Sequence, residues 1–237
     1  MNTSIENPPS SLVRHAGPPL LLLALIYAGL MVAGGSTLRA AFAVPHGSAE
    51  AAVAYVAQHG WAIRWGSFCE LGSAMPLLLF VAVTVSRLRF LRVRAAGEMI
   101  ALSGGIVASG MLVLSSLATW SLTRPGVAEA TGAVRALQAV GFAGGGPGFA
   151  VPLGLFVAGV SVTAGLHKLI PRWIMWLGLA VAAACELASL TLLVWQAGYF
   201  IPVGRFIGVV WMIAAAVTLP VSMARARAGI RGSGHCS

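Results

Sequence analysis

Two glutamates in long apolar stretches are the residues of this chain best suited to chemistry. Glu70 lies in the run Cys-Glu-Leu-Gly-Ser at 69–73, and Glu186 in the near-copy Cys-Glu-Leu-Ala-Ser at 185–189. A carboxylate is costly to bury in a bilayer, so it faces a bundle interior or a wet cavity. Pro76 follows the first run and leaves the carbonyl of Gly72 without its helical donor. A charged group and a loosened backbone are therefore expected within about one turn of each other.

Three arginines lie where they can neutralise these carboxylates. Arg39, Arg64 and Arg205 fall inside or at the margin of apolar stretches, on the side of the bundle predicted to be outer. At about 1.5 Å per residue, Glu70 lies about 14 Å from the outer end of its helix. Buried charge is thus expected from the midplane outward. Two interpretations follow: ion pairs that fix helix register, or an outward-facing polar pocket in which the arginines and glutamates bind a ligand.

The composition places these residues in a membrane protein. The chain has 237 residues, of which 58% are hydrophobic and only 9% are charged, and its mean hydropathy is +0.89. Soluble domains carry about 25% charged residues, and a spanning helix needs about 20 mostly apolar ones. We therefore expect an all-α polytopic integral membrane protein and a lipid bilayer as its environment.

Six spanning helices account for the apolar stretches. Residues 18–225 are predicted to form a single six-helix transmembrane domain between a disordered cytoplasmic tail at 1–17 and a basic cytoplasmic tail at 226–237. The last span is expected to be kinked near Pro220. The spans are predicted at 19–43, 61–87, 99–122, 149–166, 173–195 and 202–224.

Smaller signals place the remaining features. Ser48 is a suitable N-cap for a short helix through Gln58. Residues 127–142 have helical apolar spacing and predict an amphipathic or re-entrant helix before the fourth span. Five glycines and Pro147 at 141–148 predict a break that separates this helix from the next. In the third span Gly105 stands four residues from both Ala101 and Ser109, a spacing that favours close helix packing.

The two glutamate runs raise the question of an internal repeat. They fall in the second and fifth predicted spans, and residues 25–32 loosely match residues 155–162 in the first and fourth. A 3+3 inverted repeat would place a binding site near the midplane, between the halves. Chance similarity between spans rich in Ala, Leu, Gly and Ser is the alternative.

Several chemistries have no residues to carry them, so no cofactor or metal site is expected. Lys168 is the only lysine and lies at a helix end, which leaves retinal no attachment point. The five histidines lie in loops or at span margins, and the chain has no aspartate. No nucleophile–base pair is visible, which favours a non-enzymatic protein. The net charge of +9 fits the basic inner loops of membrane proteins, so nucleic acid is not expected as a partner.

From Gly141 onward the order of features resembles the domain of unknown function 4386 family of bacterial membrane proteins. The resemblance rests on Gly141-Phe142, a small-residue fourth span, the turn Leu-Ile-Pro-Arg-Trp at 169–173, and Glu186 late in the next helix. A weaker match covers a loop helix ending near His59 and Arg64 at the head of the second span. The glycine-rich break and the Glu70 copy have no counterpart in that family. The resemblance implies a bacterial inner-membrane protein of six to seven helices and implies no activity.

Two functions remain open. The first is a binding or transport protein whose outward pocket takes a small solute or a lipid headgroup. Arg39, Arg64 and Arg205 would supply positive charge there, and Glu70 and Glu186 would balance it or take protons. The second is a structural or regulatory subunit whose basic cytoplasmic face, centred on the four arginines of 87–94, docks a protein partner. Those arginines equally suit anionic lipid.

Both termini are predicted to be cytoplasmic, because ten of the fifteen Lys and Arg residues lie in the tails and loops on the side of the termini. A reporter fused after Arg231 is expected to be active only in the cytoplasm, and one inserted at Gly47 only outside. Outside activity of the C-terminal fusion would mean that the number of spans is odd.

Overall fold

The computed structural model describes residues 15–38 and 48–222, which form a bundle of helices. The α-helices are α1 (Leu20–Leu38), α2 (Ala49–Phe90), α3 (Ala96–Ser121), α4 (Thr131–Gly145), α5 (Pro147–Leu166), α6 (Arg172–Leu187), α7 (Phe200–Pro202) and α8 (Gly208–Thr218). Two 3₁₀ segments, Ala188–Leu192 and Trp195–Tyr199, join α6 to α7, and a π-helical turn at Val203–Ile207 joins α7 to α8.

Five helical stretches are long and apolar enough to cross a membrane. They are Glu50–Phe90, Ala96–Ser121, Thr131–Leu166, Arg172–Leu192 and Trp195–Thr218, and a shorter apolar helix covers Leu20–Gly35. The helical membrane protein predicted from composition is confirmed at this level. Most of the predicted N-terminal tail and all of the predicted tail at 226–237 lie outside the described residues, as does Arg39.

The centre of the bundle is held by aromatic rings from three helices. Phe156 of α5 meets Phe80 of α2 edge-on, with ring centroids 6.1 Å apart, and Trp211 of α8 edge-on at 5.9 Å. All three side chains are buried. Edge-to-face contacts suit the ring quadrupoles and add to the packing of large apolar groups. These rings hold α8, the last helix, against α2 and α5.

Glycines let the helices around α3 approach one another closely. Gly105 faces the side chain of Val81 on α2, and a Cβ at Gly104 would come within 2.6 Å of the carbonyl oxygen of Pro152 on α5. A Cβ at Gly159 would come within 3.0 Å of Ala101 Cβ. The small-residue packing predicted for Ala101 and Gly105 is confirmed.

The start of α2 follows its predicted signals. The Ser48 side chain accepts a hydrogen bond from the backbone N–H of Ala51 at 3.2 Å. His59 has non-helical backbone angles, with φ −115° and ψ 21°, and divides the short first part of α2 from the long apolar part. The helix then continues through Pro76 to Phe90.

Two helices end earlier than predicted. The expected span 173–195 is α-helical only to Leu187, where the hydroxyl of Ser189 donates to the carbonyl of Glu186 at 2.6 Å and competes with the regular ladder. The expected span 202–224 ends at Thr218 instead of kinking near Pro220. Leu219 precedes that proline and is extended, with ψ 120°, because proline disfavours helical geometry in the residue before it.

The glycine-rich segment holds more helix than predicted. Residues 141–145 belong to α4, which begins at Thr131 and not at residue 127. The break is confined to Gly146, with φ −93° and ψ −109°, and Pro147 starts α5. Two separate helices are therefore confirmed, but the wide break over 141–148 was wrong, since helix packing against α3 outweighs the low helix propensity of glycine.

The two described chain ends meet at one end of the bundle. The backbone N–H of His15 donates to the carbonyl of Val221 at 2.9 Å, and the His15 ring hydrogen-bonds Ser86 Oγ at 3.0 Å. Arg87 donates to the carbonyl of Leu219 at 3.4 Å. Burial lowers the pKa of His15, and the nearby Arg87 guanidinium lowers it further. These contacts attach both chain ends to the end of α2.

The close contact at Gly104 generates a stability prediction. Gly104→Ala is expected to lower the free energy of unfolding by about 1–3 kcal/mol, because its methyl group meets the backbone of α5. Gly110→Ala is the matched control: Gly110 lies in the same helix and a Cβ there meets no atom within 4 Å. The control should stabilise the protein by up to about 1 kcal/mol through helix propensity. Unfolding in mixed detergent micelles measures both, and equal effects would refute the packing argument.

Candidate functional site

A cavity of about 570 Å³ lies among α1, α2, α3, the α4–α5 junction and the segment leading into α8. Its wall is mostly apolar, and its polar side chains are Tyr27, Glu70, Ser73 and Arg205. The cavity lies in the half of the bundle away from the joined chain ends, since it is lined by the C-terminal half of α1. A volume in the range of about 300–1,000 Å³ is typical of small-molecule sites.

Glu70 projects from α2 into this cavity and is only 6% exposed. Its Oε1 lies 3.5 Å from Nη2 of Arg205. The Ser115 hydroxyl of α3 lies 3.3 Å from each carboxylate oxygen. The distance to the guanidinium exceeds the 2.7–2.9 Å of a strong charge-assisted hydrogen bond. The carboxylate is therefore neutralised by a loose ion pair and a shared hydroxyl.

Ser115 also connects Glu70 to α4. Its Oγ lies 2.9 Å from the carbonyl oxygen of Gly141. Because a hydroxyl has one proton, it donates either to that carbonyl or to the carboxylate at any moment. A Cβ at Gly145 would come within 2.5 Å of Ser115 Oγ and 3.2 Å of Glu70 Oε1. The glycines of α4 thus leave room for the carboxylate and the hydroxyl to meet.

Arg205 reaches Glu70 from the π-helical turn before α8. The turn follows Pro202, and Gly204 within it contacts Cys185 Sγ of α6 closely. The guanidinium carbon lies 5.0 Å from the ring centroid of Phe149, a cation–π arrangement. The side chain is 22% exposed, and its Nε is buried without a hydrogen-bond partner among the described residues. π-Helical turns occur often at functional sites.

Tyr27 of α1 contributes a second polar group without a partner. The residue is 1% exposed, lines the cavity, and its hydroxyl makes no hydrogen bond within the described part of the chain. Ser73 differs, because its hydroxyl is used locally and donates to the carbonyl of Glu70 at 2.7 Å. Among the described polar side chains of the cavity wall, Tyr27 and Arg205 therefore have an atom that is left without a hydrogen bond.

The structure joins two of the five residues singled out from sequence. Glu70 and Arg205 form an ion pair. Arg64 is exposed on α2 and its Nε donates to the carbonyl of Gly60 at 3.3 Å. Glu186 is exposed near the end of α6, so the expectation that it would point into the bundle like Glu70 was wrong. Arg39 lies outside the described residues.

Two residues of the site were missed from sequence, although each has a signal. Tyr27 is the only tyrosine in its apolar stretch, and a buried tyrosine hydroxyl usually has a partner. Ser115 and Ser116 form a polar pair in the third apolar stretch. A further ion pair, Arg89 with Glu98 at 3.1 Å, joins α2 to α3 near the end that carries the joined chain ends.

The chemistry that this arrangement offers is binding. An apolar wall can hold a hydrocarbon body, and the charge pair and the two unpartnered donors can orient a polar group. Within residues 15–38 and 48–222 no three His, Cys, Asp or Glu side chains cluster as metal ligands. No protein-family model, no curated protein and no solved structure matches this chain.

Breaking the ion pair is expected to destabilise the protein. Glu70→Gln and Arg205→Met should each lower the free energy of unfolding by about 3 kcal/mol, because each leaves a buried charge uncompensated. The double variant Glu70→Gln/Arg205→Met should lose much less than the sum. Glu186→Gln is the control and should have little effect, since no described residue forms an ion pair with that carboxylate and its loss leaves no charge uncompensated.

Detergent unfolding of the four variants measures this double-mutant cycle. Additive losses for Glu70→Gln and Arg205→Met would mean that the two side chains do not interact. A loss for Glu186→Gln as large as that for Glu70→Gln would contradict the distinction drawn between the two carboxylates.

Proposed function

We propose that this chain is a non-enzymatic multi-pass membrane protein that binds or moves a small solute or a lipid headgroup in the cavity around Glu70 and Arg205. The observation that carries the proposal is a cavity of about 570 Å³ whose wall contains a buried carboxylate paired with a partly buried guanidinium. Intramembrane ionisable residues are rare and commonly mark ligand or ion pathways.

The position of the break between α4 and α5 supports this proposal. Gly145 and Gly146 line the cavity together with Phe142, so the interrupted backbone is part of the site. Irregular backbone at membrane depth is tolerated where it is buried in protein or lines a cavity. Discontinuous helices of this kind form the substrate sites of many transporters.

A topology completes the proposal. The hydrogen bond between His15 and Val221 places both described chain ends together, which an even number of crossings requires. We propose six spans, with both termini cytoplasmic and the cavity in the outer half of a bacterial inner membrane. The assignment of the termini to the cytoplasmic side rests on the positive-inside rule. The assignment to a bacterial inner membrane rests on the resemblance to the domain of unknown function 4386 family.

The 3+3 repeat also remains a proposal. Cys69 of α2 packs against Gly34 of α1, and Cys185 of α6 packs against Gly154 of α5. In both places the cysteine of the glutamate run contacts a glycine in an earlier apolar helix. This correspondence favours a repeat of packing between the two halves, although only Glu70 is buried.

The alternative is a structural or regulatory subunit that docks a partner through its basic face. The observation that favours it is the exposure of Arg92, Arg94 and Lys168 in two loops, and of Arg172 at the start of α6, at the end of the bundle that carries the joined chain ends. Co-purification of a soluble protein that is lost when Arg92 and Arg94 are both replaced by Gln would favour this alternative over the cavity.

Filling the cavity is expected to remove a bound molecule. Gly35 lines the cavity, and a Cβ there meets no atom within 4 Å, so Gly35→Phe can fold and occupy the space. Gly29→Phe is the matched control, since Gly29 is in the same helix, is equally open and does not line the cavity. Both proteins are purified in mild detergent, and co-purified small molecules and lipids are identified by mass spectrometry.

A molecule should co-purify with the wild type and with Gly29→Phe. The amount of that molecule per protein should be at least tenfold lower for Gly35→Phe. Equal content in all three, with Gly35→Phe folded, would contradict binding in this cavity.

A further inference from the structure

Both unsatisfied polar groups of the cavity can donate a hydrogen bond, and one of them can do nothing else, which restricts the ligand. Arg205 Nε–H can only donate, and the Tyr27 hydroxyl can donate as well as accept. Both atoms are buried without a hydrogen-bond partner among the described residues, and both side chains belong to the cavity wall. A buried donor without an acceptor is unfavourable. A ligand that brings an acceptor oxygen would relieve this cost.

Charge balance restricts the ligand further. Of the described residues that line the cavity, only Glu70 and Arg205 carry a charge, and they form a pair. A ligand with a net charge would therefore be buried without a counter-ion, which is costly in an apolar site. The Glu70 carboxylate already occupies one side of the guanidinium. An uncharged acceptor keeps the site neutral.

The rest of the wall is suited to an apolar body. Met31, Leu112 and Phe142 line the cavity, together with Val32 and Phe206 at its flank. Val32 is 60% exposed and Phe206 is 56% exposed. Val32 lies on the short apolar helix Leu20–Gly35, and Phe206 lies on the stretch of spanning length Trp195–Thr218. Their exposed faces therefore meet hydrocarbon and not water. The flank between α1 and the π-helical turn therefore gives access from the bilayer.

We propose that the cavity takes an uncharged lipophile whose carbonyl oxygen accepts a hydrogen bond from the Tyr27 hydroxyl, with Arg205 Nε–H as the second donor, and which enters from the bilayer between α1 and the π-helical turn. This inference rests on the proposed function and names the ligand class of the same site. Fatty esters, fatty amides and quinones share the required chemistry.

The test uses four probes of matched chain length with the full protein in nanodiscs. Radiolabelled methyl laurate is the neutral acceptor, and unlabelled laurate, laurylamine and dodecane compete with it as anion, cation and hydrocarbon. Methyl laurate should bind saturably, and each of the three competitors should be at least tenfold weaker than unlabelled methyl laurate.

Tyr27→Phe separates recognition from structure. It should weaken methyl laurate binding by roughly three- to tenfold, the effect of one hydrogen bond, and leave the unliganded protein as stable as the wild type or more so, because the deleted hydroxyl has no partner. Tyr55→Phe is the matched control. The Tyr55 hydroxyl is also buried without a partner in the described structure, but it packs in a separate cluster of α2 and α4, so methyl laurate binding should not change.

Each result that contradicts the inference identifies a different error in it. Tighter binding of laurate would overturn the inference in favour of an anion, and equal competition by dodecane would overturn carbonyl recognition. Unchanged binding in Tyr27→Phe would remove Tyr27 from the site. If these results occur while Gly35→Phe still loses a co-purified molecule, the ligand class is wrong and the proposed function stands. If no probe binds and Gly35→Phe loses nothing, both fail.

Discussion

The constraint on which this bundle depends is the burial of the Glu70 carboxylate in a mostly apolar interior. A lone ionised group there is very unfavourable, so other elements must bring polar groups to it. Arg205 reaches Glu70 from the π-helical turn, and Ser115 reaches it from α3. Neither contact is local in sequence. The ion pair with Glu70 thus adds to the ring contacts of Trp211 in fixing the position of the last helix relative to α2.

Glycine makes these long-range contacts geometrically possible. Ordinary helix pairs lie about 8–10 Å apart, at a distance set by their side chains. Gly141, Gly144 and Gly145 present a face of α4 without side chains to α3, and Gly104 and Gly159 do the same between α3 and α5. A segment that reads as a flexible joint in the sequence is therefore a packing surface, and only Gly146 carries the change of backbone direction.

The parts of the fold that sequence predicts are those set by local chemistry. Composition indicates the membrane, Ser48 the start of α2, and Pro147 the start of α5. The error over Glu186 has a non-local cause. In both glutamate runs the cysteine packs against a glycine, Gly34 for Cys69 and Gly154 for Cys185. The next residue is turned by about 100° around the helix, and only at Glu70 do further helices cover that direction.

Ser115 gives the site a property that a simple ion pair lacks. Its single proton is shared between the Glu70 carboxylate and the carbonyl of Gly141, so the choice of acceptor depends on how well Arg205 neutralises Glu70. The Oγ lies closer to the Gly141 carbonyl, at 2.9 Å, than to either carboxylate oxygen, at 3.3 Å. The same hydroxyl therefore links the ion pair in the cavity wall to α4, little more than one turn before the break at Gly146.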